Sequence, residues 1–376
     1  MARAPIAQEI EDLPEIDRLE GFPHPRETAE LYGHGAAEAE LATALRSGRM
    51  HHAWLIAGPS GIGKATFAYR LAMHALASPG ERDADARTLA VAPGAIAARQ
   101  VRAQSHPGLL VVRRGYNLKD KRFPASISVE EVRRLRSFLG HRGALGAWRV
   151  VIVDSGDELN INAANALLKS LEEPPPQTIF LIVSAEPGRL LPTIRSRCRR
   201  LDLAPLDDDD LGKALRQARA AAGRDMPDAA ASGTLLRLAE GSVRRALNLE
   251  SEGGIALYND VFQIVAGLPE VRWGAVHALA DTMSAVAAEA RFELFFELLL
   301  ELLARLVRAA ATGEGETREL QLANRLARSG EAEGRLASLA VLWETVAREK
   351  AETVALNLDR KTLILRTVSR LETTTR

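Results

Sequence analysis

Cysteine is almost absent from this sequence. Cys198 is the only one in 376 residues, which excludes an internal disulfide and any zinc site built on clustered cysteines. Aromatic residues are scarce at 5%, while the apolar fraction is 47%, so the cores must be built mainly from aliphatic side chains. There is no excess of either charge: Lys+Arg and Asp+Glu both number 49, and bulk charge argues neither for nor against a polyanionic partner. An uninterrupted apolar run is missing as well. The longest candidate, Phe292 to Val307, carries Glu293, Glu297, Glu301 and Arg305. Their four-residue spacing stacks them on one helix face, which predicts an amphipathic helix and no membrane span. Met1 to Leu19 is acidic and lacks the basic-then-apolar order of a secretory signal. The expectation is a cytoplasmic chain of two or three domains.

Four chemical signals fall in a fixed order between Arg149 and Arg200. Val150 to Val153 is a β-branched run ending in Asp154. It reads as a buried parallel strand with a carboxylate at its C-terminal end, where open α/β sheets place ligands. An Ala/Leu-rich helix, Ala163 to Glu173, is stopped by Pro174, Pro175 and Pro176. A second apolar strand, Ile179 to Val183, closes on the hydroxyl of Ser184. Last comes Ser196-Arg197-Cys198 in a polar turn within the basic run Arg195 to Arg200. The order predicts a nucleotide-binding sheet with an arginine offered outward.

Upstream, a short strand over Trp54 to Ala57 leads into Gly58-Pro-Ser-Gly61-Ile-Gly63-Lys64-Ala65-Thr66 and then a helix, Phe67 to Ala77. This nearly matches the phosphate loop G-x-x-x-x-G-K-[ST]. The glycines allow backbone N–H groups to face an anion at a helix N-terminus, and Lys64 would reach its phosphates. Ala65 stands where a hydroxyl should hold Mg²⁺, and Thr66 lies about 100° further round the helix. Asp154 fits the second metal-organising carboxylate of such a site. The position after it, where an acid would polarise the attacking water, is Ser155. Asp157 and Glu158 read better as charges near the positive end of the next helix. ATP or ADP is therefore the expected ligand, held weakly; a magnesium site is left open and hydrolysis is not expected.

The remaining chain divides by composition. Residues 1–20 read as a loose leader, and 21–205 as the sheet domain. Within that domain, Ser78 to Gln104 reads as an insertion or mobile helices. Gly108 to Val112 is a further strand. Arg113, Arg114, Lys119, Lys121 and Arg122 form a basic loop, either a solvated turn or a nucleic-acid contact. Ser128 and Glu131 suggest a capping box for a helix to Leu139. Asp207 to Asp210 opens a small helical lid, residues 206–252, and Gly253-Gly254 is a hinge. Residues 255–376 read as almost wholly helical: Ala256 to Ala266, Val271 to Met283, Ala288 to Ala311, and Arg335 to Leu371 broken near Asn357. Residues 313–333, rich in Gly and Glu, are expected to be an exposed link.

Residues 24–204 resemble the AAA+ module of bacterial clamp-loader subunits. The likeness rests on His51-His-Ala-Trp-Leu, Gly58-Pro-Ser-Gly-Ile-Gly-Lys64, Asn165-Ala-Leu-Leu-Lys-Ser-Leu-Glu-Glu-Pro174 and Leu191-Pro-Thr-Ile-Arg-Ser-Arg-Cys198; it weakens but continues through the C-terminal third. The resemblance implies an α/β AAA+ P-loop domain, with a parallel sheet and flanking helices, then a helical lid and an all-α collar. It implies a five-subunit ring with gamma/tau motor subunits and a delta subunit, which opens the sliding clamp and places it on primed DNA. Arg197 matches the arginine that this family supplies in trans to a neighbour's ATP. Ser184 matches the γ-phosphate sensor, and Arg244 in Glu240-Gly-Ser-Val-Arg244 matches the second sensor in the lid. Gly58, Gly61, Gly63, Lys64, Thr66 and Asp154 complete the expected nucleotide site. The zinc cluster common in this family cannot form here, so no zinc is carried over.

Three functions are consistent with these residues. The leading one is a largely non-hydrolysing ring subunit that completes a partner's active site with Arg197. An ATP-hydrolysing motor subunit of the same ring is the alternative, opposed by Ala65 and Ser155. A stand-alone P-loop phosphotransferase would need an acceptor-substrate pocket, for which the helical third offers no cluster of groups.

Overall fold

The computed structural model describes residues 14–85, 87–92, 94–140, 147–225, 229–285, 288–328, 332–356 and 358–375. It divides into two compact units, Met1–Leu247 and Asn248–Arg376. The first thirteen residues of the expected leader and the expected break at Asn357 lie outside the described residues.

The first unit is built on a five-stranded sheet: β1 (Ala53–Ala57), β2 (Leu109–Val112), β3 (Arg149–Asp154), β4 (Thr178–Ser184) and β5 (Arg199–Asp202). The strand order is β2-β3-β4-β1-β5, and every pairing is parallel. Helix α1 (Gly35–Arg46) precedes β1, and the crossovers that parallel strands need are supplied by α2 (Lys64–Leu76), α3 (Ile96–Arg102), α4 (Val129–Gly140), α5 (Ile161–Glu172) and the short α6 (Pro192–Arg195). Side chains alternate between the two faces of the sheet. Trp54, Ile56, Val150, Ile152, Ile179 and Leu181 pack against α1, α2 and α3. Ala53, Leu55, Val151, Val153, Phe180 and Ile182 pack against α4 and α5. Both faces are covered, which explains why the central strands read as continuous apolar runs. A parallel sheet sandwiched between helices is the layering the sequence led us to expect.

Three expectations need correction. Strand β5, expected from the apolar residues over Leu201 to Leu203, instead runs from Arg199 to Asp202, because it is an edge strand and only Leu201 of its four residues is buried. Ser78 to Gln104 is no loose insertion: Leu89, Ala95, Ala98 and Val101 are buried in the core, where small side chains let α3 approach closely. Residues 14–20 are tied down as well, as the site shows below.

After the sheet come α7 (Asp208–Ala221), α8 (Ala229–Ala239) and α9 (Val243–Ser251). Asp207 caps α7 by accepting a hydrogen bond from the Asp210 N–H at 2.8 Å. The second unit is helical throughout its described residues: α10 (Gly254–Gly267), α11 (Trp273–Asp281), α12 (Glu289–Thr312), α13 (Thr317–Arg328), α14 (Ala332–Ala355) and α15 (Arg360–Thr375). Helix α12 buries Phe292, Phe295, Phe296, Leu299, Leu302, Leu303 and Leu306, the amphipathic pattern that ruled out a membrane span. Among the described residues, no helix is long and apolar enough to cross a membrane. Helix α13 corrects the expected exposed link. The Gly/Glu-rich residues Gly313 to Glu316 come before it, whereas its own Glu319, Leu322, Ala323 and Leu326 form a buried face. Glu319 accepts hydrogen bonds from the Tyr258 hydroxyl at 2.7 Å and from Arg305 Nε at 3.2 Å.

Candidate functional site

The loop after β1 is shaped by its glycines. Gly58, Gly61 and Gly63 have φ of +149°, +77° and +101°, a region that side chains other than glycine rarely adopt. At Gly61 a Cβ would stand 2.3 Å from Ser242 Oγ and 2.7 Å from Arg244 Cβ. The start of α9 is pressed onto the loop there. The Ser242 hydroxyl donates to the Ser60 carbonyl at 2.9 Å, and the Arg244 N–H donates to the Gly61 carbonyl at 3.3 Å. From α1's side, His34 Nε2 lies 2.8 Å from the Ile62 carbonyl. The loop is thus fixed from two elements before any ligand arrives.

A cavity of about 280 Å³ opens over this loop. Gly61, Gly63, Lys64, Thr66, Asp154 and Arg244 line it, together with Ala65 and Ser155. Six predicted site residues therefore meet at the C-terminal ends of β1 and β3, where an open α/β sheet presents ligand groups. Two do not line it. Gly58 turns away against the Leu203 carbonyl. Ser184 is fully buried, with a hydroxyl that has no hydrogen-bond partner, although its neighbours Val183 and Ala185 line the cavity.

Lys64 is folded back on its own loop. Its ammonium donates to the Gly58 carbonyl at 2.7 Å and to the Pro59 carbonyl. Burial pulls its pKa down to about 8, against the opposing pull of Asp157 and Asp154. Asp154 is buried and one carboxylate oxygen has no partner. Burial and the neighbouring Asp17 carboxyl push its pKa well above the carboxylate range, which favours a protonated acid that can donate to Asp17. The glycine loop and Lys64 fit the phosphate end of a nucleotide, while the alkyl Ala65 offers no metal ligand.

Asp17 was not foreseen as a site residue. It lines the cavity and lies 3.7 Å from Arg113. Around it, Glu15 pairs with Arg26 at 2.8 Å and with Arg113, and Arg244 Nη2 donates to the Ile16 carbonyl at 3.4 Å. The basic loop is thereby divided: Arg113 and Arg114 face inward, Arg114 on Glu158 at 2.6 Å, while Lys119, Lys121 and Arg122 are exposed. The acidity of the leader was the visible signal. Its target was not, because nothing local in the sequence joins Asp17 to Asp154.

Arg197 lies elsewhere. Parallel register pairs Trp54 with Arg199 and Ala57 with Asp202. Arg197 precedes Arg199, so it sits at the N-terminal end of the sheet, and the cavity opens at the other. At about 3.3 Å per residue, the length of β1 alone holds it some ~13 Å from the loop. The side chain is 36% exposed and bonds to Glu172 at 2.7 Å and to the Thr193 carbonyl at 3.0 Å. Glu172, inside the Asn165–Pro174 motif, is a second residue the sequence reading did not single out. Arg199 is engaged differently, on Glu40 at 2.7 Å and over the Trp54 ring at 4.8 Å. Arg200 pairs with Asp202 at 2.8 Å. Burial pushes the Cys198 thiol up to about 12, so this thiol is not a nucleophile.

Comparison with known proteins agrees with this architecture. The family model described as "DNA polymerase III, delta subunit" matches residues 33–207. Over those residues, somewhat less than half of the chain, the sequence is similar to that family. A curated relative, DNA polymerase III subunit delta' of Pseudomonas aeruginosa, is 40% identical over 147 residues, 39% of this chain and 41% of the relative. Subunit delta' of Escherichia coli K12 is 34% identical over 166 residues, 44% of this chain and 46% of the relative. A gamma/tau subunit from Mycobacterium bovis is 33% identical over 180 residues, 46% of this chain and 28% of the relative. The chain spans less than half the length of each of these curated relatives.

Proposed function

We propose that this chain is a clamp-loader subunit of the delta-prime type, which supplies Arg197 to ATP held by a neighbouring motor subunit. The observation that carries the reading is the separation of its two halves. Arg197 is exposed at the N-terminal end of the sheet, out of reach of the cavity at the C-terminal end. A guanidinium in that place can serve a nucleotide only on another chain. Its planar fork suits a phosphate's developing charge. The chain's own cavity has the loop and Lys64 but an alkyl group at 65 and an alcohol at 155, so it orders neither metal nor attacking water. ATP or ADP is held there weakly, with magnesium unassigned.

The proposed partners are gamma/tau motor subunits and a delta subunit in a five-subunit ring, with the sliding clamp and primed DNA as its substrates. The proposed location is the cytoplasm. The helical second unit, which shows no cluster of metal-ligating groups among its described residues, is assigned to ring assembly. The retained Lys64 and Asp154 keep the motor alternative in play, and one experiment separates the two. The purified chain should co-elute with motor and delta subunits and show negligible steady-state ATP turnover alone. Robust turnover by the isolated chain, abolished by Lys64→Ala, favours the motor reading instead.

A further inference from the structure

The two cations that line the cavity, Lys64 and Arg244, and the nearby Arg113 are already engaged by groups of the same chain. Lys64 bonds to the Gly58 and Pro59 carbonyls. Arg244 donates to the Ile16 carbonyl. Arg113 is shared among Glu15, Asp17 and His24. Two of these three arginine and lysine groups are held by residues 15–17, a segment that precedes the sheet domain. Asp17 itself forms cavity wall beside Asp154, and its Oδ2 receives no hydrogen bond. It is held there by a hydrogen bond shared with Asp154 and by charge, from Arg113 at 3.7 Å and from Arg244.

The segment is pinned on both sides of Asp17. Glu15 is fixed by Arg26 and Arg113. Phe22 is 3% exposed and lies under the Arg224 guanidinium at 4.5 Å. Arg18 Nε donates to the Phe22 carbonyl at 3.2 Å, which closes the short loop between the pins. The position of Asp17 therefore follows from contacts made on either side of it.

We propose that Ile16–Phe22 is a built-in stopper for the phosphate end of the cavity, and that Asp17 is the residue that sets how weakly the cavity takes a polyphosphate. This rests on reading the cavity as a nucleotide pocket. An incoming triphosphate meets two carboxyls and finds Arg244 engaged, so it must displace Asp17 to bind. Like charge near an anion site lowers affinity, and removing one such charge restores it.

The test is equilibrium binding of mant-ATP, with and without Mg²⁺, to the full chain and its variants. Asp17→Asn keeps the size and removes the charge. It should tighten binding by about tenfold, the equivalent of ~1.4 kcal/mol, and adding Lys64→Ala should remove the gain. Glu15→Gln, which loosens a pin without lining the cavity, should tighten binding to a smaller extent. Hydrogen exchange on the unmodified chain gives a readout free of folding defects: saturating mant-ATP should raise exchange over residues 14–22. Unchanged affinity in Asp17→Asn, or unchanged protection with ligand bound, overturns the stopper and leaves the pocket standing. No binding to any variant at millimolar ligand overturns both the pocket and the stopper, while the trans role of Arg197 is judged by a separate assay.

Discussion

His24 shows how one residue couples the leader to the sheet domain. Its imidazole is 1% exposed, lies edge-on to Tyr69 at 5.6 Å, and sits 3.0 Å from Arg113. Burial, then the nearby Arg26 and Arg113, pull its pKa from 6.5 down to about 3. The unfolded chain takes up a proton below pH 6.5 that the folded chain refuses, so stability falls as pH drops from 6.5 toward 3. Glu15 acts over a lower window. Burial raises its pKa, but the Arg26 and Arg113 bonds win and hold it at about 2. Its contribution is present above 4.5 and is lost as pH falls toward 2. At pH 5 the cost from His24 alone is about 2 kcal/mol relative to neutral pH. Urea unfolding at pH 7 and pH 5 should therefore show a smaller drop in His24→Gln than in the unmodified chain. Equal drops would place the acid sensitivity in other histidines.

At the scale of elements, what was legible depended on range. The phosphate loop, Asp154 and strands β1 to β4 are local patterns, and the structure puts them where those patterns point. Edge strand β5 was displaced because its exposed arginines hide the period of two. Helix α13 was missed because glycines and glutamates just before it mask a short apolar stripe. Asp17 and Glu172 were missed for a deeper reason: each acts on a residue distant in sequence, and no spacing rule reaches that far. Gly61 is where local and long-range requirements coincide. Gly61→Ala forces an alanine to φ +77° and into Ser242 and Arg244. A loss of about 2 kcal/mol in the first unit is expected from backbone strain and the clash together. Gly80→Ala, with nothing within 4 Å of the added Cβ, should change the melting midpoint little. If the two variants melt alike, the lid does not press on the loop in solution.

At the scale of the whole molecule, a cavity over the glycine loop stands at one end of the sheet, and Arg197 stands at the other. On the proposed reading, such a chain gives more to a neighbour's chemistry than it performs itself. Glu172 holds Arg197 in the free chain through an exposed pair, worth at most about 1 kcal/mol, so the guanidinium is released at little cost when a phosphate competes for it. An arginine at a γ-phosphate is worth about 10³–10⁵ in rate at the site it serves, but in a ring with several sites only one loses it. The most direct measurement is DNA-stimulated ATP turnover by the reconstituted complex carrying Arg197→Ala, beside Arg197→Lys and Arg200→Ala. Turnover should fall in Arg197→Ala with assembly intact, stay low in Arg197→Lys, and be nearly unchanged in Arg200→Ala. Equal losses from Arg197→Ala and Arg200→Ala would contradict the account, because general basicity at the interface would then explain the effect.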